Sequence, residues 1–144
     1  MTEARDEPGE DAGAIISRYW AGWVAGDVAT VVDLYDDELV LTWTGSHHLA
    51  GEHRGKTAAL DALLRLQLAT NRSPVAVHDI LAEGHRAIAW VTERWERDGS
   101  DLEVDRLLRF EVRGGRIVAC RVHETDQHAV DLWLTADPGA APPA

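Results

Sequence analysis

The chain has 144 residues, a net charge of −11 and an apolar fraction of 45%, the profile of one domain able to bury a core without staples. That charge excludes a nucleic-acid binder, which needs a basic face to neutralise phosphates, and it disfavours anionic membranes. No apolar run approaches the roughly 18 residues that span a bilayer, and the acidic start MTEARDEPGEDAG lacks an apolar signal core, so a cytoplasmic location is expected.

Residues 1–12 read as a disordered acidic arm. The folded domain is expected over 13–134. Ile15, Ile16, Tyr19, Trp20, Trp23 and Val24 fall at helical spacing over residues 13–26. Gly26 stops that helix, and Asp27 caps a second that runs to about Leu34. ELVLTW (38–43) reads as a strand, followed by the glycine- and histidine-rich loop TGSHHLAGEHRG. A third helix over 56–69 carries Leu60, Leu63, Leu64 and Leu68 along one side.

Strands follow at 75–82, 86–97, 101–113 and 116–124. Asp98-Gly99-Ser100 and Gly114-Gly115 supply tight hairpins between the last three. DQHAVDLWL makes a short helix capped by Asp126, and the Pro/Ala-rich tail 135–144 is expected to be disordered. Helices first and an antiparallel meander afterwards mean an α+β fold.

Alternation places Val104, Arg106, Leu108, Phe110 and Val112 on the face toward the helices. A Gly99-Ser100 turn sets Glu93 directly opposite Arg106, beside Ala89, Val91 and Trp95. Buried alone, either charge is costly, so the two are expected to pair. The pair is either a structural salt bridge or a site, with Glu93 moving a proton and Arg106 fixing it or binding an oxyanion. Tyr19 is either a core tyrosine or a donor to substrate. Trp20, Trp23, Trp43 and Trp95 are plain core, or else they form a flat substrate-binding wall with Val91, Leu108, Phe110, Cys120 and Val122.

Of His47 and His48, either one (His48 the candidate) reaches the pocket mouth as an acid or base, or both are solvated. Adjacent residues point apart on an extended chain, HExxH and HxH are missing, and Cys120 is the single cysteine, so no metal site is expected. The basic set of 13 Arg and one Lys leaves almost no candidate for a Schiff base. No GxSxG, Walker loop or GxGxxG occurs, and no cofactor is expected.

Four segments, RYWAGWVAGDVATVVDLYDDE, LAGEHRGKTAALDALL, LLRFEVRGGRIVACRV and DQHAVDLW, carry a resemblance over residues 13–134. In that order they resemble the SnoaL-like and ketosteroid isomerase-like branch of the nuclear-transport-factor-two-like superfamily. The resemblance implies a cone-shaped, curved sheet wrapped around three helices with one deep pocket. It gives Tyr19 the place of an oxyanion donor, a mechanism for which ketosteroid isomerase is a worked case. Other family positions are altered. Arg106 stands where that isomerase has its protonated Asp, and Trp43 stands where it has its base. Val122 and Cys120 stand where SnoaL-like cyclases carry Asp and His, and Val122 also replaces an Asp of the limonene epoxide hydrolases.

The expectation is a cofactor-independent enzyme for a hydrophobic polyketide-, steroid- or terpenoid-like substrate, by cyclisation, isomerisation, dehydration or epoxide opening. The alternative is a non-catalytic ligand-binding domain. The outer sheet face, with Ile88, Trp90, Thr92, Arg94, Leu107, Arg109, Glu111, Arg121 and His123, suits an interface, and relatives imply a homodimer.

Overall fold

The computed structural model describes residues 11–135. The arm and tail expected at the two ends lie outside these, except that Asp11 caps the first helix, Ala12 opens it and Thr135 closes the last. The elements run α1 (Ala12–Ala25), α2 (Val28–Leu34), β1 (Tyr35–Trp43), β2 (Gly51–Arg54), α3 (Lys56–Thr70), β3 (Ser73–Glu83), β4 (Arg86–Arg97), β5 (Ser100–Arg113), β6 (Arg116–Glu124) and α4 (Gln127–Thr135). The fold is α+β, a curved, unclosed six-stranded sheet in the order β2-β1-β6-β5-β4-β3 with four helices. Every strand pairing is antiparallel except β1 with β6, which is parallel, so the sheet is mixed.

Local chemistry sets the helix boundaries. Asp11, Asp27 and Asp126 each accept an early backbone N–H of the helix that follows, from Ala14, Thr30 and Ala129. Gly26 ends α1 in the left-handed region at φ 73°. The N–H of Ala12 bonds Gly84 O at 3.0 Å and docks the start of α1 on the β3–β4 hairpin. α1 packs on β3, β4 and β5, and α3 packs on β1, β2 and β4.

Four details differ from the sequence reading. The short strand β2 forms inside the expected loop, where Trp43 pairs with Gly51. The first strand starts three residues early, at Tyr35, with an irregularity before Val40. β3 includes Pro74, which an edge strand tolerates because its missing N–H breaks no inner ladder. On α3 the buried line is Ala59, Ala62, Leu66 and Thr70, while Leu64 and Leu68 are exposed and Leu60 and Leu63 half-buried. Small residues bring the helix axis close to the sheet, and the leucine stripe turns partly outward.

The hairpin between β4 and β5 corrects the expected register. Arg97 pairs with Ser100, so the turn is Asp98-Gly99, with φ of 50° and 80° at its two residues. Two consecutive positive φ angles suit an Asp-Gly turn of the primed type that matches strand twist. Glu93 therefore lies opposite Val104, and Arg106 lies opposite Val91. A shift of two residues keeps every side chain on its own face, and Val104, Arg106, Leu108, Phe110 and Val112 are all buried.

The α3 assignment can be checked directly. Leu68→Gln, at a residue 75% exposed, is expected to change stability by less than about 0.5 kcal/mol. Leu66→Ala, at 1% exposed, should cost about 2–5 kcal/mol. Urea unfolding of both variants measures the difference, and equal losses would mean that the helix presents its leucine side to the core.

Candidate functional site

The inner sheet face carries a buried chain of alternating charges. Arg106 on β5 lies directly opposite Glu124 on β6 and donates to it from Nε (3.0 Å) and Nη2. Its Nη1 donates to Glu93 Oε1 on β4 at 3.0 Å, a diagonal neighbour across the pair. Glu93 Oε1 also accepts the Trp95 indole N–H at 3.0 Å, and Oε2 accepts Arg72 Nη1 at 3.1 Å. Arg72 stands in the short link after α3, where Asn71 adopts φ 45°. Its guanidinium lies over the Trp23 ring, 4.9 Å from the centroid. The four side chains Arg72, Glu93, Arg106 and Glu124 are nearly or wholly buried, and their charges cancel.

Mutual charge makes this burial tolerable. Desolvation alone would raise the Glu93 carboxyl. The attraction of Arg106 and Arg72, with the bonds from Trp95 and Arg106, outweighs it and holds the group at about 2. Burial works against the Arg106 cation as well, but Glu93 and Glu124 together keep its pKa above the ordinary arginine value.

Beside this chain a mostly apolar cavity opens. Tyr19, Trp20 and Trp23 of α1, Tyr35, Leu41 and Trp43 of β1, and Leu108, Cys120 and Val122 line it. Glu93, Arg106 and Arg72 form its charged wall. The half-buried Leu63 and Trp23, with the exposed Ser73 and Pro74 beside Arg72, make the side nearest solvent, between α1 and the end of α3. The space is narrow, about 40 Å³ counted as room for the centre of a water molecule, where one water needs roughly 10–15 Å³.

Tyr19 and Tyr35 face one another there, with their hydroxyl oxygens 2.6 Å apart. Both are buried, and desolvation first of all raises both pKa values, so each stays protonated at neutral pH. One hydroxyl proton makes the mutual bond, and the other is left for a ligand. Burial pushes the Cys120 thiol up to about 12, against a smaller opposite pull from Arg106 and Arg72. A protonated thiol is a poor nucleophile, which favours the packed reading of Cys120.

The expected site residues divide into two groups. Tyr19, Trp20, Trp23, Trp43, Glu93, Arg106, Leu108, Cys120 and Val122 converge on the cavity. Val91, Trp95 and Phe110 are buried but sit outside its lining, with Phe110 packed edge-on against Tyr19 and Trp20. His48 is exposed and also outside the lining, whereas His47 is buried with Nδ1 accepting the Leu49 N–H at 3.2 Å. That bond and the burial both favour neutral His47, whose pKa lies below the ordinary histidine value. Among the described residues no group of three or more His, Cys, Asp or Glu is placed to share a metal ion.

Three important residues escape a reading of the sequence. Glu124 continues the inward alternation of Cys120 and Val122 and was findable by that period. Tyr35 opens β1 just past α2, and its meeting with Tyr19 depends on how that strand packs. Arg72 lies in an irregular link, where no period applies.

The charge chain has a pH consequence. The Glu93 carboxyl, ordinarily near 4.5, is depressed to about 2 in the folded chain. Its contribution is therefore complete above 4.5 and is lost as pH falls toward 2. Glu93→Gln is expected to cost about 3–5 kcal/mol at neutral pH, because Arg106 and Arg72 lose a buried counter-charge. The variant should also show a flatter acid limb in denaturant unfolding followed across that window. Parallel limbs for the two proteins would refute the assignment.

Comparison with known proteins places this geometry. The family model of the SnoaL-like domain matches residues 16–120. Bal32a, from a soil-derived mobile gene cassette, is 27% identical with a TM-score of 0.76, over 84% of this chain and 94% of that one. A cystatin-like-fold protein of unknown function from Xanthomonas campestris is 21% identical with a TM-score of 0.78, over 84% of this chain and 95% of that one. A candidate polyketide cyclase from Sinorhizobium meliloti is 16% identical with a TM-score of 0.61, over 76% of this chain and 94% of that one. No curated protein matches the chain. With the sheet, the helices and the inward-facing cavity in agreement, the chain belongs to the SnoaL-like domain family.

Proposed function

We propose that this chain is a cofactor-independent enzyme that acts on a small, largely apolar molecule through one of its oxygens. The reaction class is cyclisation, isomerisation, dehydration or epoxide opening. The observation that carries this reading is the buried Tyr19–Tyr35 pair, which holds an unspent hydroxyl proton against an apolar cavity. A donor fixed in a water-poor site stabilises developing oxygen charge far better than the same donor in water.

Of the two parts open to Glu93, structural partner of Arg106 or mover of a proton, the first fits better. A carboxylate held at about 2 accepts protons poorly near neutrality. Its two oxygens are already engaged by Arg72, Arg106 and Trp95. Glu93 therefore fixes the two guanidinium groups, and His48, out in solvent, takes no part. An enolisable carbonyl compound suits such a site. Its α C–H breaks, the proton leaves to water or buffer, and the electron pair moves to the oxygen that Tyr19 faces.

Cyclohexanone tests this without knowledge of the natural substrate. The protein is expected to accelerate exchange of its α-hydrogens in D₂O, read by proton NMR. Tyr19→Phe should reduce the acceleration about 100-fold with an unchanged circular dichroism spectrum, and Tyr35→Phe should reduce it less. Exchange no faster than in buffer would remove the reading in favour of a binding domain.

We also propose that the chain forms a homodimer through its outer sheet face. Ile88, Trp90 and Leu107 are each exposed there by more than two-fifths, an apolar patch among arginines and acids of the kind found at interfaces. Trp90→Arg should turn a dimer into a monomer in light scattering after gel filtration. A wild-type chain that already elutes as a monomer would refute it.

A further inference from the structure

Among the described residues, two buried side-chain polar atoms have no hydrogen-bond partner, Trp20 Nε1 and Arg72 Nε. Both residues line the same cavity. Both atoms are N–H donors, with no orphaned acceptor beside them. A buried donor without a partner costs on the order of 1–3 kcal/mol, so such atoms in a native fold call for a cause. The rest of the lining explains why none is supplied from within. Each Arg106 nitrogen already donates to Glu93 or Glu124, and both Glu93 oxygens already accept from Arg72, Arg106 or Trp95.

The charge at the wall points the same way. Arg72, Glu93 and Arg106 line the cavity, and Glu124 lies against Arg106 just outside the lining. Arg106 is neutralised from two sides. Arg72 meets one carboxylate oxygen through Nη1 and the Trp23 ring through its face, and its Nε is unspent. The apolar walls and the narrow space suit a flat body of about one ring. The tyrosine pair adds a third donor.

We infer that the cavity binds a planar organic monoanion, an enolate or carboxylate on a small apolar frame, with its charged oxygen held by Arg72 and by the Trp20 indole N–H. This deepens the proposed function and rests on it, because the anion is then the form whose oxygen charge the Tyr19–Tyr35 pair also stabilises. Arg72 stands on the solvent side of the cavity, in the two-residue link between α3 and β3. It is placed to meet the anion first and to set specificity for charge.

Equilibrium binding tests this with three probes read by tryptophan fluorescence and by calorimetry. Cyclohexane-1,3-dione is an enolate in neutral water, benzoate carries a carboxylate, and the O-methyl enol ether of the dione has the same frame without the charge. The wild-type chain is expected to bind at least one of the two anions 10-fold or more tightly than the ether, and the two arms tell enolate from carboxylate. Arg72→Gln should lower the affinity for that anion at least 10-fold and leave the ether unchanged. Trp20→Phe keeps the ring and loses the N–H. It should lower anion affinity several-fold, and it serves as the test should Arg72→Gln fail to fold. An ether that binds as tightly as both anions, or anion affinity unmoved in the folded variants, would overturn the inference. These titrations need no turnover, so they can fail while α-hydrogen exchange persists. Exchange can likewise fail while the anion still binds.

Discussion

The structure depends on how two buried guanidinium groups and two buried carboxylates are made tolerable inside an apolar cone. Arg72, Glu93, Arg106 and Glu124 alternate in sign across three neighbouring strands and one link. Each charge spared from water has an opposite charge at hydrogen-bond distance, and the set is neutral as a whole. Such a set adds little net stability, because desolvation consumes most of the attraction. What it does supply is geometry. It ties β4, β5 and β6 to the end of α3 and leaves a polar wall beside otherwise apolar space.

That wall decides which chemistry the cavity can host. The Glu93 carboxylate already accepts from two arginines and an indole. The tyrosine pair, the Trp20 indole and Arg72 are all donors. An environment of donors and cations with its one carboxylate already occupied favours oxygen charge on a ligand. The SnoaL-like domain is shared with the family.

Much of the fold was legible because short-range rules govern it. The Asp27 and Asp126 caps, the Gly26 stop and the period-two alternation of β5 hold in the structure. The failures have the same origin. On α3 the side with Leu60, Leu63, Leu64 and Leu68 was expected inside, yet the line of Ala59, Ala62, Leu66 and Thr70 is the buried one. In the β4–β5 hairpin three residues can supply the turn, and the one-step choice between Asp98-Gly99 and Gly99-Ser100 displaces every pairing by two. The inward face survived this error because side-chain direction repeats every second residue.

The sequence by itself determined the class of fold, the helix ends, and the presence of Glu93 and Arg106 on the concave side. All of these follow from propensity, capping and alternation over a few residues. Only the tertiary structure decided that Arg72 and Glu124 complete the charge chain, that Tyr35 meets Tyr19, and that Phe110, Val91 and Trp95 lie outside the cavity lining. Those partners are separated by 16 residues or more in most cases. They meet because a curved sheet brings distant strands over one small space, and no local pattern records that curvature.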